Sequence, residues 1–437
     1  MWNEPFSVES LRRIIDYENR KGVFLEKEFF PDVAALNDEI KEITAQVKEL
    51  ESRMVDPASD EFKVKVEKKA ESVKKKEELL NSSLLRISNE LLQKNFKIDL
   101  NQINGEHKLF VAPRIAQNFF ALRQLQYNFQ KFYKIKQSSA YMIVSQLIRF
   151  LEEDFPKFII RTDIKDFYES IPHDKILKKI YDDSLIDSHS RQILKKILDE
   201  YKRLGETDVG IPRGVGVSAY LAELYMRDFD KKIRGLKNVF YYARYVDDII
   251  VIFNPPSENH LEKIDEIIAQ KKLVRNDLKT NIIDHTESRY SSNLEYLGYS
   301  IQFGTSDTQI RLSANKIAKY RKRIDLILEA YRKLSRVDEK KARKILVKRF
   351  RFLTGNTRLM NNKKDILVGI YFSNSLINNK SDLLALDQYR EQKINEFILF
   401  APLRNRLNRY DFVRGFNEKR FSPFKTHELS EIINAWN

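Results

Sequence analysis

The most informative stretch of the sequence runs from Phe240 to Phe253 and reads FYYARYVDDIIVIF. Aromatic and β-branched residues, which favour strands, flank an acidic pair, Asp247 and Asp248, on both sides. Two adjacent carboxylates would be very costly to desolvate in the middle of a buried strand. We therefore expect a β-hairpin with the two aspartates at its tip, where they can meet metal ions.

A second acidic strand is predicted upstream, where residues 158–168 read FIIRTDIKDFY and an apolar run delivers Asp163 at its end. Asp163 and Asp247 are 84 residues apart, so only a folded sheet can bring them together. Three carboxylates from two strands suit a pair of Mg²⁺ ions about 3.5–4 Å apart, one activating a 3′-hydroxyl and the other holding a nucleoside triphosphate. The alternative is that these aspartates act only as caps or salt-bridge partners.

Five short blocks resemble the polymerase motifs of reverse transcriptases and follow one another in that family's order. They are motif A in Asp163–Tyr168 (DIKDFY), motif B in Gly210–Tyr225 (GIPRGVGVSAYLAELY), motif C in Tyr245–Asp248 (YVDD), motif D in Leu278–Thr280 (LKT) and motif E in Leu294–Tyr299 (LEYLGY). The resemblance implies RNA-directed DNA polymerase activity on an α+β right-hand fold. In that fold a ferredoxin-like palm carries the motifs, fingers precede it and a helical basic thumb follows.

The resemblance also implies roles for individual residues. Asp163, Asp247 and Asp248 would be the catalytic metal ligands, and the backbone carbonyl of Ile164 would be a further ligand. The cofactor would be two Mg²⁺ ions, for which Mn²⁺ can substitute. Lys279 would protonate or neutralise the pyrophosphate leaving group, a role that suits a positioned cation; the alternative is an ordinary surface lysine.

Four residues are implied in nucleotide binding. Tyr168, next to Phe167, would be a steric gate that excludes a ribose 2′-hydroxyl and so favours deoxynucleotides; the alternative is a core aromatic. Gly214 would let the backbone approach the nascent base pair closely. Arg213 stands where many family members have glutamine, and an arginine there can contact phosphate or a template base.

Within the family, the chain is most similar to the bacterial antiphage group of abortive-infection and defence-associated reverse transcriptases. The similarity rests on Pro-Arg-Gly in motif B, Phe-Tyr-Glu-Ser-Ile after Asp163, and Arg-Tyr-Val-Asp-Asp. Within that group, the chain most resembles the second polymerase of the type 3 defence-associated system. This resemblance implies a paralogous reverse transcriptase or a homo-oligomer as partner, a non-coding RNA, and repetitive DNA products made from dNTPs in response to phage.

Residues 32–95 are predicted to form a helical hairpin. Apolar residues recur there at helical spacings, first at Leu36, Ile40, Ile43, Val47, Leu50 and Met54, and then at Val66, Val73, Leu80, Leu84, Ile87 and Leu91. Such stripes are typical of coiled-coil seams. The intervening DPASD, residues 56–60, breaks the helix. We expect an antiparallel coiled coil that serves as a structural arm or as a docking surface for another subunit.

The charge is concentrated in one part of the chain. The 437 residues include 78 Lys and Arg and 63 Asp and Glu, a net charge of +15, which indicates a polyanionic partner. Residues 311–351 hold 16 basic and 4 acidic residues, a net of +12, above an apolar helical face of Leu326, Ile327, Ala330 and Leu334. We expect this segment to bind nucleic-acid backbone. The candidate contacts are Arg321, Lys322, Arg323, Arg343, Lys344, Lys348 and Arg349.

Composition excludes several other classes. The sequence has no cysteine, which rules out disulfide frameworks, cysteine-ligated zinc or iron–sulfur sites and a cysteine nucleophile. No uncharged apolar run approaches the roughly 18 residues of a membrane span, and the start, MWNEPFSVES, does not resemble a signal peptide. We expect a cytoplasmic protein without a membrane partner.

The predicted organisation is an N-terminal segment (1–31), the helical hairpin (32–95), fingers (96–160), the palm with motifs A to E (161–305) and a basic helical thumb with a C-terminal extension (306–437). The aromatic residues at 412–424 either stack on unpaired bases or pack onto the thumb. Two other functions remain open. One is a catalytically silent, polymerase-like scaffold that binds RNA or a partner; the other is template-independent or protein-primed DNA synthesis.

Overall fold

The structure is a computed structural model. It describes residues 5–54, 56–103, 108–136, 138–205, 207–254, 259–286, 291–304, 307–359 and 366–436. Motifs A to E, including all of motif B at 210–225, lie within these ranges.

Helices make up most of the described elements. They are α1 (Val8–Arg20), α2 (Leu25–Phe29), α3 (Pro31–Ser52), α4 (Asp60–Leu92), α5 (Ala116–Phe132), α6 (Ala140–Glu152), α7 (Phe167–Ser170), α8 (His173–Asp183), α9 (Ser188–Gly205), α10 (Ser218–Arg234), α11 (His260–Gln270), α12 (Ala314–Ser335), α13 (Glu339–Thr354), α14 (Ser381–Phe397), α15 (Ala401–Leu407), α16 (Phe412–Asn417) and α17 (Thr426–Ile433). A 3₁₀ turn spans Asp277–Lys279.

The strands of the described residues form four small antiparallel sheets. They are β1 (Asn101–Ile103), β2 (Leu109–Val111), β3 (Lys157–Thr162), β4 (Val239–Tyr245), β5 (Asp248–Phe253), β6 (Asn281–His285), β7 (Ser292–Tyr296), β8 (Tyr299–Phe303), β9 (Gln309–Leu312), β10 (Asn356–Leu359) and β11 (Ile366–Gly369). The largest sheet has the order β4-β5-β3-β6, and β7-β8-β9 forms the next. The chain therefore mixes helices and sheets, as predicted.

Two compact units divide the chain, and each draws on separate stretches of sequence. Unit 1 contains residues 1–137, 164–232 and 266–274. Unit 2 contains residues 138–163, 233–265 and 275–437. The β4-β5-β3-β6 sheet and the β7-β8-β9 sheet both belong to unit 2, whereas the β1-β2 hairpin belongs to unit 1.

The core of unit 2 is built on the inner strands of its main sheet. Ile250 and Ile252 of β5 and Ile159 of β3 are fully buried against side chains from α6, the β7-β8-β9 sheet and α12 to α16. A strand buried on both sides reads as a continuous apolar run rather than an alternating one, which explains the sequence IIVIF of residues 249–253. This core fixes the end of the sheet from which the acidic residues project.

Unit 1 is mostly helical. Its N-terminal helices α1 and α2 contact α3, α4 and α5, and Phe29 and Phe30 pack against Phe120 of α5 at ring-centroid distances of 6.4 and 6.3 Å. Helices α1 and α2 are thus part of the packing of this unit.

Helices α3 and α4 pack along each other in opposite directions. Lys65 donates to Gln46 at 2.7 Å, and Lys68 lies 3.6 Å from Glu39, so contacts move backwards along α3 as α4 advances. The predicted apolar stripes are only partly buried. Met54 lies beyond the end of α3 and is almost fully exposed.

The basic helices α12 and α13 bury a different face from the one predicted. The residues of α12 that are fully covered are Tyr320, Ile324, Ile327 and Leu328, whereas Leu326, Ala330 and Leu334 are only half-buried. Ile327 is therefore the one residue of the predicted apolar face that reaches the core. No helix in the described residues is long and apolar enough to cross a bilayer.

The C-terminal aromatics that adjoin the basic helices pack inward for the most part. Phe412 is fully buried with its ring 5.5 Å from that of Tyr320, and Phe416 packs 5.3 Å from Tyr371. Phe424 is buried too, and Phe421 is exposed. For Phe412, Phe416 and Phe424, the packing alternative is therefore the one observed.

Candidate active site

The register of strands β3 and β5 brings the acidic residues to one end of the sheet. The two strands are antiparallel, and Thr162 lies opposite Ile249. The next residue on each strand is therefore Asp163 on one side and Asp248 on the other. Cross-strand neighbours in an antiparallel pair have their Cβ atoms about 4.5–5.5 Å apart. This register explains how two aspartates 85 positions apart in the sequence come to face each other.

A tight turn positions the third aspartate. Tyr245 pairs with Asp248 at the end of β4 and β5, which leaves Val246 and Asp247 as a two-residue loop. Val246 has φ +60°, in the left-handed region that a β-branched residue rarely adopts. The guanidinium of Arg244 donates to the carbonyl of Val246 at 2.7 Å. This hydrogen bond stabilises the strained turn. Such strain is often found at functional sites.

Two cations neutralise part of this acidic group. The Lys279 ammonium lies 2.5 Å from Oδ2 of Asp163, and Arg161 Nη2 donates to Oδ1 of Asp248 at 2.9 Å. Arg161 Nη1 also donates to the backbone carbonyl of Lys279 at 3.2 Å. Lys279 remains 58% exposed while Asp163 is almost fully covered. The ammonium therefore reaches the buried carboxylate from the solvent side.

The negative charge of the site is not fully compensated. Asp163 is only 3% exposed, and its Oδ1 is buried without a hydrogen-bond partner. Burial raises the pKa of Asp247 above its ordinary value, and the nearby carboxylates of Asp248 and Asp163 raise it further. Burial also raises the pKa of Asp248, against the opposing effect of Arg161. A site with these properties attracts a cation.

The donor set fits a hard divalent cation. Within the part of the chain that the structure describes, no three acidic or histidine side chains are already grouped closely enough to hold one ion. Asp163, Asp247 and Asp248 nevertheless supply only oxygen donors, the ligands that Mg²⁺ prefers. A bound cation would give Oδ1 of Asp163 a partner. It would also stabilise the ionised forms of Asp247 and Asp248, whose pKa values are raised.

A second group of predicted residues lies in unit 1, on the single-turn helix α7 and the loop of motif B. Ile164 and Phe167 are buried, and Tyr168 is half-buried. Arg213 makes a two-pronged ion pair with Glu169, with Nε 3.1 Å and Nη2 3.2 Å from the two carboxylate oxygens. Glu169 was not among the site residues predicted from the sequence.

Gly214 lies where the backbone passes close to another strand. Its φ is +100°, and a Cβ added there would be 2.7 Å from the carbonyl oxygen of Phe110 in β2. The amide of Phe110 in turn donates to the carbonyl of Arg213 at 2.7 Å. The glycine is therefore required in this structure by its contact with β2, and any larger residue would displace that strand.

The candidate nucleic-acid contacts on α12 and α13 differ in exposure. Arg321, Lys322 and Lys344 are exposed, whereas Arg323, Arg343 and Lys348 are half-buried. Both half-buried arginines lie over aromatic rings, Arg323 at 5.0 Å from Trp436 and Arg343 at 4.2 Å from Phe400. Lys348 pairs with Glu428 at 2.8 Å.

Arg349 is the exception among these basic residues. It is 7% exposed, burial lowers its pKa, and its guanidinium donates to the carbonyl of Glu431 at 3.0 Å. Its side chain fastens α17 to α13 and does not belong to the exposed basic surface. The sequence pattern could not distinguish it from Lys348, because both lie in one dense run of charge.

Arg161 contacts the acidic group in unit 2 but was not among the site residues predicted from the sequence. It lies two positions before Asp163, so the alternation of a strand puts both side chains on the same face. That signal was present in the sequence. Its partner Asp248, however, is identified only by the strand register.

Comparison with known proteins places the chain in a family. Residues 79–301, slightly more than half of the chain, match the family described as reverse transcriptase (RNA-dependent DNA polymerase). An uncharacterized 91 kDa protein in cob intron of Schizosaccharomyces pombe is 34% identical over 87 residues, which are 19% of this chain and 11% of that protein. A structure of apo telomerase from Candida tropicalis, truncated from its C-terminal domain, is 15% identical, with a TM-score of 0.36 over 50% of this chain and 55% of that one.

The chain spans 11% of the length of the yeast protein and 55% of that of the telomerase chain. The family match includes all five motifs, A to E, and ends two residues before Phe303. The family expected from the five motifs is confirmed: the chain belongs to the reverse transcriptase (RNA-dependent DNA polymerase) family.

Proposed function

We propose that this protein is a metal-dependent polymerase that makes DNA from dNTPs, with an RNA template. The observation that carries the proposal is the group of three aspartates at one end of the main sheet of unit 2, with one buried oxygen that has no partner. Purely structural aspartates would be capped or fully paired. An uncompensated acidic group in a reverse transcriptase family member fits nucleotidyl transfer.

In this proposal Asp163, Asp247 and Asp248 hold two Mg²⁺ ions, with the backbone carbonyl of Ile164 as a further ligand and Mn²⁺ as a possible substitute. When bound, the metal would supply Lewis-acid stabilisation of the attacking and leaving oxygens. The protein's own contribution is electrostatic. Lys279, whose pKa is raised by its hydrogen bond to Asp163, stays protonated and can neutralise or protonate the departing pyrophosphate.

The right-hand architecture is part of the same proposal. The order β4-β5-β3-β6 matches a ferredoxin-like sheet, in which the first and third strands in sequence are the central pair. We propose that residues 161–305, together with the start of β3 at Lys157, form the palm, that the fingers precede them from residue 96, and that residues 306–437 form the thumb with its C-terminal extension. We assign residues 1–31 to an N-terminal segment and residues 32–95 to a coiled-coil arm. A partner polymerase is proposed to bind there.

Substrate selection is assigned to the residues of unit 1. Tyr168, five residues beyond Asp163 in the chain, is proposed as the steric gate, with Phe167 as its buried support. Gly214 and Arg213 complete the proposed nucleotide-binding group. Duplex is proposed to contact the exposed face of α12 and α13, represented by Arg321, Lys322 and Lys344.

The biological role is inferred from the motifs alone. Their similarity to the antiphage group supports a role in bacterial defence, in the cytoplasm, with a non-coding RNA and a paralogous reverse transcriptase or a second copy as partners. Repetitive DNA would be the product. Sequencing of the nucleic acids that copurify with the protein would test the RNA and the product together.

The direct test is nucleotide incorporation by the purified protein with its copurified RNA and Mg²⁺. Wild type should incorporate labelled dNTPs, and the double variant Asp247→Ala/Asp248→Ala should lose incorporation by at least about 10³-fold, as expected when electrostatic stabilisation of a transition state is removed. The matched control is Asp265→Asn, which removes a carboxylate paired with Arg275 outside the acidic group. Equal incorporation by wild type and the double variant would refute the site assignment.

A phage challenge separates the two remaining functions. If the protein acts by DNA synthesis, cells carrying Asp247→Ala/Asp248→Ala should lose protection. Full protection by that variant would favour a silent scaffold. Digestion of the product with nuclease before and after protease treatment, followed by sequencing, would distinguish RNA copying from protein-primed or template-independent synthesis.

A further inference from the structure

The ion pair between Arg213 and Glu169 joins the loop of motif B to helix α7. Both carboxylate oxygens of Glu169 are engaged, by Nε at 3.1 Å and Nη2 at 3.2 Å. The two side chains are 32% and 39% exposed, so the pair is only partly shielded from solvent. Forked arginine–carboxylate pairs fix geometry as well as charge.

The same guanidinium also lies over the ring of Tyr168. Its central carbon is 5.2 Å from the ring centroid, within the range of a cation–π contact. Arg213 therefore touches two successive residues of α7, one through its charge and one through the ring face. A glutamine at this position would offer neither the fork nor the cation.

Helix α7 needs such external support. It contains four residues, Phe167–Ser170, fewer than the number at which a helix is stable by itself. It starts from Asp166, which has φ +45° and makes no side-chain capping hydrogen bond. The position of its side chains must therefore be set by neighbouring segments.

The loop of motif B supplies that support at α7 and just after it. The amide of Ile211 donates to the carbonyl of Tyr168 at 2.7 Å, and the amide of Gly210 donates to that of Ile171 at 2.8 Å. The ring of His173 is hydrogen-bonded through Nε2 to the carbonyl of Gly210. These hydrogen bonds fix the backbone of α7. They do not fix the Tyr168 ring, whose position depends on neighbouring side chains.

Arg213 is itself anchored from its other side. Its carbonyl accepts the amide of Phe110 at 2.7 Å, and Gly214 beside it packs against the same β2 residue. The side chain that reaches α7 thus starts from a fixed backbone. With two of its nitrogen atoms committed to Glu169, Arg213 has limited capacity to read a template base.

We propose that Arg213 is a positioning residue for the Tyr168 ring, and that through this ring it sets how strongly the enzyme rejects ribonucleotides. The inference rests on the proposed function, because it takes Tyr168 as the steric gate. It replaces the expected direct contact of Arg213 with phosphate or template by an indirect role through Glu169 and Tyr168.

The test compares kcat/KM for a dNTP with kcat/KM for the matching ribonucleotide in wild type, Arg213→Gln and Glu169→Gln. Both variants should lower the ratio by about tenfold, the effect of roughly 1.4 kcal/mol of lost discrimination. Tyr168→Ala provides the reference for complete loss of the gate. The matched control is Arg203→Gln, which breaks a similar fork with Glu200 on α9, at 2.8 and 2.6 Å, and should leave the ratio unchanged.

The reversed pair Glu169→Arg/Arg213→Glu adds a readout that a merely structural role would not give, since it restores the ion pair but takes the cation off the Tyr168 ring. Partial recovery of the ratio is expected. A ratio in Arg213→Gln and Glu169→Gln equal to that of wild type, with folding verified by thermal unfolding, would overturn the inference. Absence of dNTP incorporation by the wild type would instead overturn the proposed function.

Discussion

The positions of the Asp163, Asp247 and Asp248 carboxylates suit a functional role better than they stabilise the folded protein. Burial opposes the ionised form of each of the last two, and only Asp163 and Asp248 have a cationic partner. Sites of this kind commonly trade stability for function. Their effect on folding can be measured separately from any reaction.

Asp247→Asn should stabilise the protein in the absence of divalent ions. Because the pKa of Asp247 is raised above 3.8 in the folded state, its ionised form lowers the free energy of unfolding at pH 7, and this penalty disappears as the pH falls through the raised pKa. We expect the variant to gain about 0.5–2 kcal/mol, measured by urea unfolding in EDTA at pH 7.

The control for this prediction is Asp265→Asn. Asp265 accepts two hydrogen bonds from Arg275, at 2.6 and 3.2 Å, so its loss should leave stability unchanged or lower it. A stabilising effect of both substitutions would show that general charge, rather than the acidic group, is responsible.

The acidic residues of this site were predictable and their partners were not. Asp163, Asp247 and Asp248 end or begin apolar runs, and that local pattern is visible in the sequence. The hydrogen bonds of Arg161 to Asp248 and of Arg213 to Glu169 depend on strand register and on a loop that folds back over 44 residues. Sequence spacing alone carries no information about either.

Among the helices, α6 has an unusual C-terminus. The ammonium of Lys157 donates to the carbonyls of Phe150, Leu151 and Glu153 at 3.0, 3.2 and 2.5 Å. The last carbonyls of a helix have no partner within it. Here one buried cation, 1% exposed, satisfies two of these groups and the carbonyl of the C-cap residue Glu153, and it lies at the negative end of the helix dipole.

Lys157→Met should therefore destabilise unit 2. The methionine fills a similar volume but leaves buried carbonyls without donors, which costs about 1–3 kcal/mol. Because Lys157 starts β3, the strand that ends at Thr162 next to Asp163, the lower melting temperature should be accompanied by reduced dNTP incorporation. Lys263→Met, at an exposed position of α11, should change stability by less than about 0.5 kcal/mol.

The pair α3 and α4 shows how far an apolar pattern predicts burial. Leu80, Leu84, Ile87 and Leu91 in the second half of α4 are buried, because α1 and α5 also contact this helix. Val66 and Val73, earlier in α4, are 42% and 40% exposed. Two helices alone cannot bury their apolar stripes completely, and a third element has to pack against them. The sequence does not show where along the pair that element packs.

Three buried histidines make the stability of the whole protein sensitive to acid. Burial lowers the pKa of His173, His260 and His285 below the ordinary value of 6.5. The unfolded chain then binds protons more readily than the folded protein. The contribution of these three histidines to the free energy of unfolding should be constant above about pH 7 and fall as the pH drops below 6.5.

Urea unfolding at pH 7.5 and 5.5 measures this loss. His173→Gln should reduce the difference between the two pH values, since one of the three contributions is removed. His427→Gln, on an exposed position of α17, should leave the difference unchanged. A wild type equally stable at both pH values would contradict the prediction.

The net charge of +15 should appear as a salt dependence of nucleic-acid binding. If Lys322 and Lys344 each contact one phosphate, Lys322→Gln/Lys344→Gln should lower the slope of log Kd against log salt by about 2 on a short RNA–DNA duplex. Lys74→Gln/Lys75→Gln, at exposed positions of α4, removes the same charge elsewhere and should leave the slope unchanged. Equal slopes for all three proteins would place the duplex on another surface.

The interleaved composition of the two units has a consequence for biosynthesis. Unit 1 takes its last residues from 266–274, and unit 2 takes its first from 138–163. Neither unit can be completed while the ribosome is still translating the region before Val274. We therefore expect nascent chains shorter than about 300 residues, which still hold some 30 residues in the exit tunnel, to remain protease-sensitive throughout, with protection of unit 1 appearing abruptly once Val274 emerges.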